Sequence, residues 1–238
     1  MNLFKNIYFF FNIAIKKIKS KKTYYSFGGI DSLINYMFKN LENGVYIDAG
    51  CHHPILNNNT YILYKKGWSG INIDLDKNNI DLFNFARKND CNINSAISEK
   101  KGNANLFFYH DKSSINTLSE KAKNYQKAKV TEIRNIQTNS LNDIIENSPF
   151  SEKTIDFLTI DVEGYELEVL KGFDIKKYAP KVIVVEYLDL KAKKLEIKNL
   201  NIDNVISSEL YKHMIKHNYT LANWLHSDLV FINNNYKD

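Results

Sequence analysis

Residues 155–172 read Ile-Asp-Phe-Leu-Thr-Ile-Asp-Val-Glu-Gly-Tyr-Glu-Leu-Glu-Val-Leu-Lys-Gly. Ile155–Ile160 is a near-continuous apolar run of strand length, the pattern of a strand covered on both faces. Acids and Gly164 break it, and residues 165–170 resume at helical spacing. Strand, acidic turn and helix make half of a βαβ unit. The same alternation extends in both directions. Upstream, strands are predicted over 45–47, 70–75, 91–97, 104–109 and 130–138, with helices over 59–66, 78–88, 118–127 and 141–146. Downstream come a buried strand at 182–185 (Val-Ile-Val-Val), a helix over 207–217, and β-rich runs at 219–224 and 228–232 that can pair as an edge hairpin. Strands alternating with helices predict an α/β fold built on a mostly parallel sheet.

The 238 residues, 44% of them apolar and 25% charged, suit one globular domain with a sizeable core. Nine glycines and three prolines are too few for a disordered or collagen-like chain. Cys51 and Cys91 form no C-x-x-C pair and the histidines no finger spacing, so the expectation is a reduced, cytoplasmic protein. The net charge of +5 is uneven: six lysines and no acid precede Asp31, leaving the remainder near neutral. A generally basic nucleic-acid binder is thereby disfavoured, and no nucleic-acid partner is expected.

The basic arm, residues 1–25, stands apart from a domain over 26–238. Leu3, Ile7, Phe10, Phe11, Ala14 and Ile18 recur at helical spacing, with Lys5, Asn12, Lys16 and Lys19 on another face. Its least polar stretch, residues 7–15, is far shorter than the ~20 residues a spanning helix needs. No small-residue cleavage site follows it. Three fates are open to such a helix: packing on the domain, lying in an anionic membrane interface through residues 1–22, or binding a partner. The second would place the protein at the inner face of a membrane.

In open α/β sheets ligands bind beyond the C-terminal strand ends. The first strand ends in Asp48-Ala49-Gly50-Cys51-His52-His53-Pro54, where Gly50 permits a tight turn and Asp48 supplies a carboxylate. This is not the G-x-G-x-x-G fingerprint, and an acid there repels pyrophosphate. The second strand ends in Asp74-Leu75-Asp76, an acidic position suited to ribose hydroxyls, although Asp76 also reads as a helix cap. Paired in register, Asp48 and Asp74 suggest a nucleoside carrying a positively charged amino-acid end. Asp161, Glu163 and Glu166 follow the third; helix-terminal acids explain Glu166 better than Asp161.

Together these segments resemble the FkbM-type methyltransferases: YIDAGCHHP (46–54), NTYILYKKGWSGINIDLD (59–76), NSAIS (94–98), SINTLSE (114–120), IDFLTIDVEGYELEVLKG (155–172) and PKVIVVEY (180–187). The likeness spans roughly residues 26–235, and the IDVEG-x-E-x-x-VLKG block is its most specific part. It implies a Rossmann-like seven-stranded methyltransferase sheet with S-adenosyl-L-methionine as cofactor. Asp48 and Gly50 would belong to the cofactor loop, Asp74 would hold the ribose, Ser95, Ala96 and Ile97 would line the adenine, and Asp161 would lie near the methionine end and the reaction centre. Many relatives have glycine where this chain has Pro54, so the loop is altered there.

A sulfonium methyl is already activated, leaving the protein to align a nucleophile and exclude water. For a hydroxyl acceptor a general base helps, and His53, Asp161, Glu163 and His110 are the candidates. No metal is expected, since no further ligand joins Asp161 and Glu163 in the sequence. The resemblance implies O-methylation of a glycan or natural product, and a membrane-facing arm turns the expectation toward a surface polysaccharide or lipid-linked saccharide, as in polysaccharide biosynthesis. Two alternatives stand: a glycosyltransferase-like enzyme using Asp74-Leu75-Asp76 on a metal-diphosphate, and a binding protein on an inactive methyltransferase fold.

Overall fold

The computed structural model describes residues 3–20, 23–111, 113–126, 128–190 and 201–236. Lys21 and Lys22 of the basic arm, and Lys127 at the expected end of a helix, lie outside the described residues. The strands are β1 (Val45–Ala49), β2 (Ser69–Asp74), β3 (Cys91–Asn94), β4 (Ala96–Ile97), β5 (Gly102–Phe108), β6 (Glu132–Asn139), β7 (Phe157–Ile160), β8 (Val182–Glu186), β9 (Tyr219–Leu225) and β10 (Asp228–Asn233). The helices are α1 (Leu3–Ser20), α2 (Ile30–Met37), α3 (Tyr61–Tyr64), α4 (Lys77–Ala86), α5 (Glu120–Tyr125), α6 (Leu141–Glu146), α7 (Glu166–Lys171), α8 (Ile175–Tyr178), α9 (Ile202–Ile206) and α10 (Glu209–Lys216).

Seven strands form one sheet in the order β3-β2-β1-β7-β8-β10-β9. Pairing is parallel from β3 through β8, and β10 runs antiparallel between β8 and β9. The predicted sheet with its C-terminal hairpin is therefore present, and the hairpin's second strand is the one inserted inward. Chain order reverses between β1 and β7, creating a crevice beyond their C-terminal ends.

Burial explains these strands. Residues 157–160 and 182–186 are buried at every position, as a sheet with apolar packing on both faces requires. One core layer gathers Ile47, Ile71, Leu158, Ile183 and Phe231 against Leu141, Val169 and Met214 from α6, α7 and α10. The opposite layer packs Tyr46, Phe157, Val184 and Val230 against Ile30, Ile34 and Phe38, with Trp68 between.

One feature departs from the sequence expectation. The run 91–97 is two strands: β3 joins the main sheet, while β4 pairs with β6 in a separate three-stranded sheet, β4-β6-β5. Ser95 breaks the run, its N–H donating to Asp74 O at 3.0 Å. The expected helix of the arm forms as α1, with Leu3, Phe4, Phe10, Ile13 and Ile18 exposed, so its apolar surface is not covered by the domain. Among the described residues no helix is long and apolar enough to cross a membrane.

Candidate cofactor and acceptor site

A cavity of about 480 Å³ opens at the crevice. Its walls come from the residues after β1, β2, β7 and β8, from Ser95–Ile97, and from the turn between β9 and β10. This volume lies in the ordinary range of small-ligand pockets, about 300–1,000 Å³.

The loop after β1 is locked to the one after β7. Gly50 has φ +87°, and a Cβ there would lie 1.7 Å from Asp161 O, so only glycine fits. The loop is stitched down by Gly50 N–H to Ile73 O at 2.8 Å and Asp161 N–H to Ala49 O at 2.9 Å. His52, Asn57, Glu163 and His226, all lining the cavity, also have positive φ, between 49° and 57°. Backbone strain of this kind in non-glycine residues is held in place by its surroundings and concentrates at functional sites.

Asp74, at the end of β2, lines the cavity as expected. Its carboxylate accepts from His52 N at 2.9 Å and Asp76 N at 2.7 Å, which fixes its position while leaving lone pairs for a ligand. Asp76 caps α4, accepting from Asn78 N at 2.8 Å. Both acids of the Asp74-Leu75-Asp76 spelling thus serve the backbone, against the metal-diphosphate alternative. Ser95, Ala96 and Ile97 line the neighbouring wall.

Asp48 does not line the cavity. It sits beneath the loop, accepting from Asn58 Nδ2 at 3.0 Å and Thr60 Oγ1 at 2.8 Å. Burial raises its pKa to about 6, opposed by Arg87 and these hydrogen bonds. The sequence reading placed it on the cofactor; the structure places it in the loop's foundation. His53 is also outside the lining. Its Nδ1 accepts from Ile55 N at 3.1 Å and Leu56 N at 2.9 Å, folding the turn around Pro54. That ring nitrogen is unavailable as a base, and the neighbouring His52 lines the cavity in its stead. His110 is exposed, outside the lining, and its Nδ1 bonds Asp111 O.

Missing from the sequence expectation was Arg87, wholly buried after α4. Its guanidinium donates to Pro54 O at 2.6 and 3.1 Å, Asn58 Oδ1 and Thr60 Oγ1 at 2.7 Å, and Tyr46 OH at 3.3 Å. Tyr46 OH in turn donates to Asp90 at 2.6 Å. Arginine's planar fork suits such a many-pointed junction.

The cavity itself carries Asp161, Glu163, Glu186 and Asp228 beside Asp74 and Asp76. Among the described residues no lysine or arginine lines it. Burial first, then Asp161 and Glu166, push Glu163 up to about 9. Burial and then Asp161 push Asp228 up to about 7. Glu186 rises well above the carboxylate range, again mainly through burial. Glu166 serves a separate purpose: its Oε1 accepts from Val162 N at 3.1 Å and Gly164 N at 2.8 Å, bracing the turn. A pocket with this charge favours a cationic ligand over a phosphorylated one.

Over residues 48–219 the sequence matches the methyltransferase FkbM domain. The chain belongs to the FkbM methyltransferase family. Its cofactor is S-adenosyl-L-methionine, and this family member has a pocket that fits one: a close-approach glycine, an acid at the end of β2 and carboxyl groups that would face its positively charged end. Similar solved structures include the methyltransferase FkbM of Methylobacillus flagellatus, 12% identical, with a TM-score of 0.45 over 80% of this chain and 43% of that one. The FkbM-family chain described here therefore spans less than half of that protein. Another is a TehB-like SAM-dependent methyltransferase of Corynebacterium glutamicum, 12% identical, with a TM-score of 0.42 over 98% of this chain and 100% of that one. No curated protein matches the sequence significantly.

Proposed function

We propose that the protein methylates a saccharide hydroxyl at a membrane surface, using S-adenosylmethionine. The observation that carries this reading is the cavity's mixed lining. Asp74, Ser95, Ala96 and Gly50 would hold the cofactor. The lining also offers neutral hydrogen-bonding groups, Asn57, Asn59 and Ser227, and an aromatic lip where Phe27 meets His226 edge-on at 4.8 Å. Amide and hydroxyl groups with an aromatic face suit a polyol rather than an apolar or anionic acceptor.

The cofactor supplies a methyl group already activated for transfer, so the chain's task is to align the acceptor oxygen and take its proton. His52 and His226 are the two imidazoles in the cavity. His52 is tied into the cofactor loop through its own N–H to Asp74. His226, on the β9–β10 turn beside the aromatic lip, is assigned as proton acceptor. Replacing it, His226→Gln, is expected to lower turnover by about 10²-fold or more while leaving S-adenosylhomocysteine affinity unchanged.

Helix α1 supports the membrane placement. Phe4, Phe10 and Ile18 are exposed, Lys5 and Lys16 accompany them, and no acid precedes Asp31. Apolar groups in the acyl boundary with lysines on anionic headgroups fit that composition. In sequence the arm ends shortly before Phe27, which lines the cavity, and an acceptor held at the same membrane would be a lipid-linked saccharide.

The decisive experiment is methyl transfer from labelled S-adenosylmethionine to lipid-linked saccharides, with free oligosaccharides, protein and RNA in parallel. Label in the saccharide supports the reading; label only in protein or RNA overturns it. Flotation of the intact protein with anionic, but not neutral, liposomes at low salt is expected. Failure to float would remove the membrane element alone.

A further inference from the structure

We propose that Asp161, Glu163 and Glu186 bind one divalent cation. In the sequence Glu186 stands 23 positions or more from the other two. The sheet brings them together: β7 and β8 are parallel with Ile160 opposite Val185, so Asp161 and Glu186 leave adjacent strands side by side. One oxygen from each of the three residues lies within 4.8 Å of the others. Oxygen ligands gathered this closely suit a hard divalent cation.

A trio of acids alone would not make a site. The second observation is Glu186 Oε2. Glu186 is only 8% exposed and lines the cavity, yet that oxygen has no hydrogen-bond partner. A buried acceptor without a partner is costly, and an ion in the cavity would satisfy it. Charge points the same way. Asp74 and Asp76 are met by backbone N–H groups, but Asp161, Glu163 and Glu186 face no lysine or arginine among the described lining residues. Carboxyl oxygens gathered in this way suit a hard divalent cation.

Three protein oxygens leave coordination positions on the cavity side for water or for acceptor hydroxyls. If the methyltransferase reading holds, such an ion would seat an acceptor with neighbouring hydroxyls. Binding of the ion does not depend on that reading.

The test is titration of the full chain with Mn²⁺, followed by loss of the free-ion electron paramagnetic resonance signal, with and without S-adenosylhomocysteine. One Mn²⁺ per chain is expected, retained when S-adenosylhomocysteine is added. In Glu186→Gln, affinity should fall by more than about tenfold, the loss that even outer-shell changes can produce. Glu163→Gln is the second variant, and S-adenosylhomocysteine binding by both variants shows that they are folded. No Mn²⁺ binding by the wild type, equal binding by both folded variants, or displacement of the ion by S-adenosylhomocysteine would overturn the proposal. Mn²⁺ binding without S-adenosylhomocysteine binding would keep the ion site and sink the methyltransferase reading.

Discussion

Two polar clusters lie on either side of the β1 loop, and they are completed in different ways. Beneath the loop, Asp48, Asn58, Thr60, Tyr46 and Asp90 surround Arg87, which supplies the positive charge and most of the donors. Above it, Asp161, Glu163, Glu186 and Asp228 share a cavity that no lysine or arginine lines among the described residues. The lower one is buried and finished by the chain, and it holds the scaffold; the upper one opens on the cavity, with Glu186 buried and Asp161 exposed, and on our reading it is finished by what binds. An acidic cluster that the chain leaves without a cation is therefore the better guide to a ligand.

The largest test of that contrast removes the lower cluster's cation. Arg87→Ala should cost about 3–5 kcal/mol in denaturant unfolding, because Asp48 and Asp90 are left buried without it. A loss below about 1 kcal/mol would mean the lower cluster is as open-ended as the upper. Next comes Asp74→Ala, expected to weaken S-adenosylhomocysteine by at least about tenfold, roughly 1.4 kcal/mol by calorimetry, with little change in unfolding. If stability falls instead, Asp74 belongs with the scaffold. For Glu186→Gln the ligand-free protein should change by less than about 1 kcal/mol, because burial holds the Glu186 carboxyl well above the carboxylate range and the amide replaces a neutral acid of the same shape. A destabilised variant would show that the chain itself satisfies the upper cluster.

The smallest effect concerns a third, unrelated site. His213 Nε2 is buried without a partner, and its pKa is lowered to about 4, first by burial and then by His217, Lys171 and Lys216. Its folded value lies below the ordinary 6.5, so the unfolded chain takes up the proton first. Stability is complete above pH 6.5 and falls as pH drops toward 4. His213→Leu should flatten Tm across that window, by about 1 kcal/mol or less after solvent screening. An unchanged slope would assign the acid sensitivity elsewhere.

The main sheet was legible because its strands are short apolar runs closed by turn residues, a local signal that tertiary packing reinforced. The small sheet was not, since β4 is two residues long and β5 and β6 mix polar and apolar positions. At the site, the rule of acids at strand ends led to Asp74 and Asp161, which line the cavity. It also pointed to Asp48, whose strand ends the same way but whose side chain lies under the loop. The same rule applied to Val-Ile-Val-Val-Glu-Tyr (182–187) would have found Glu186. Arg87 left a subtler mark: it is one of two arginines in a chain with 30 lysines, and a rare fork among many point charges signals a shaped junction. For His226 and Phe27 there was no signal, because turn geometry and aromatic packing at a rim depend on segments far apart in sequence.

The place of β10 bears on how the chain reaches this state during synthesis. Residues 228–233 lie between β8 and β9, although both are made earlier. Until they emerge, the edge of Val182–Glu186 is unpaired, and that segment is entirely apolar but for its last residue. A nascent chain paused before position 228 would present an adhesive hydrophobic border to its neighbours on a polysome. Closing that border is the work of a strand made after both of its sheet neighbours, so the sheet's integrity waits on it.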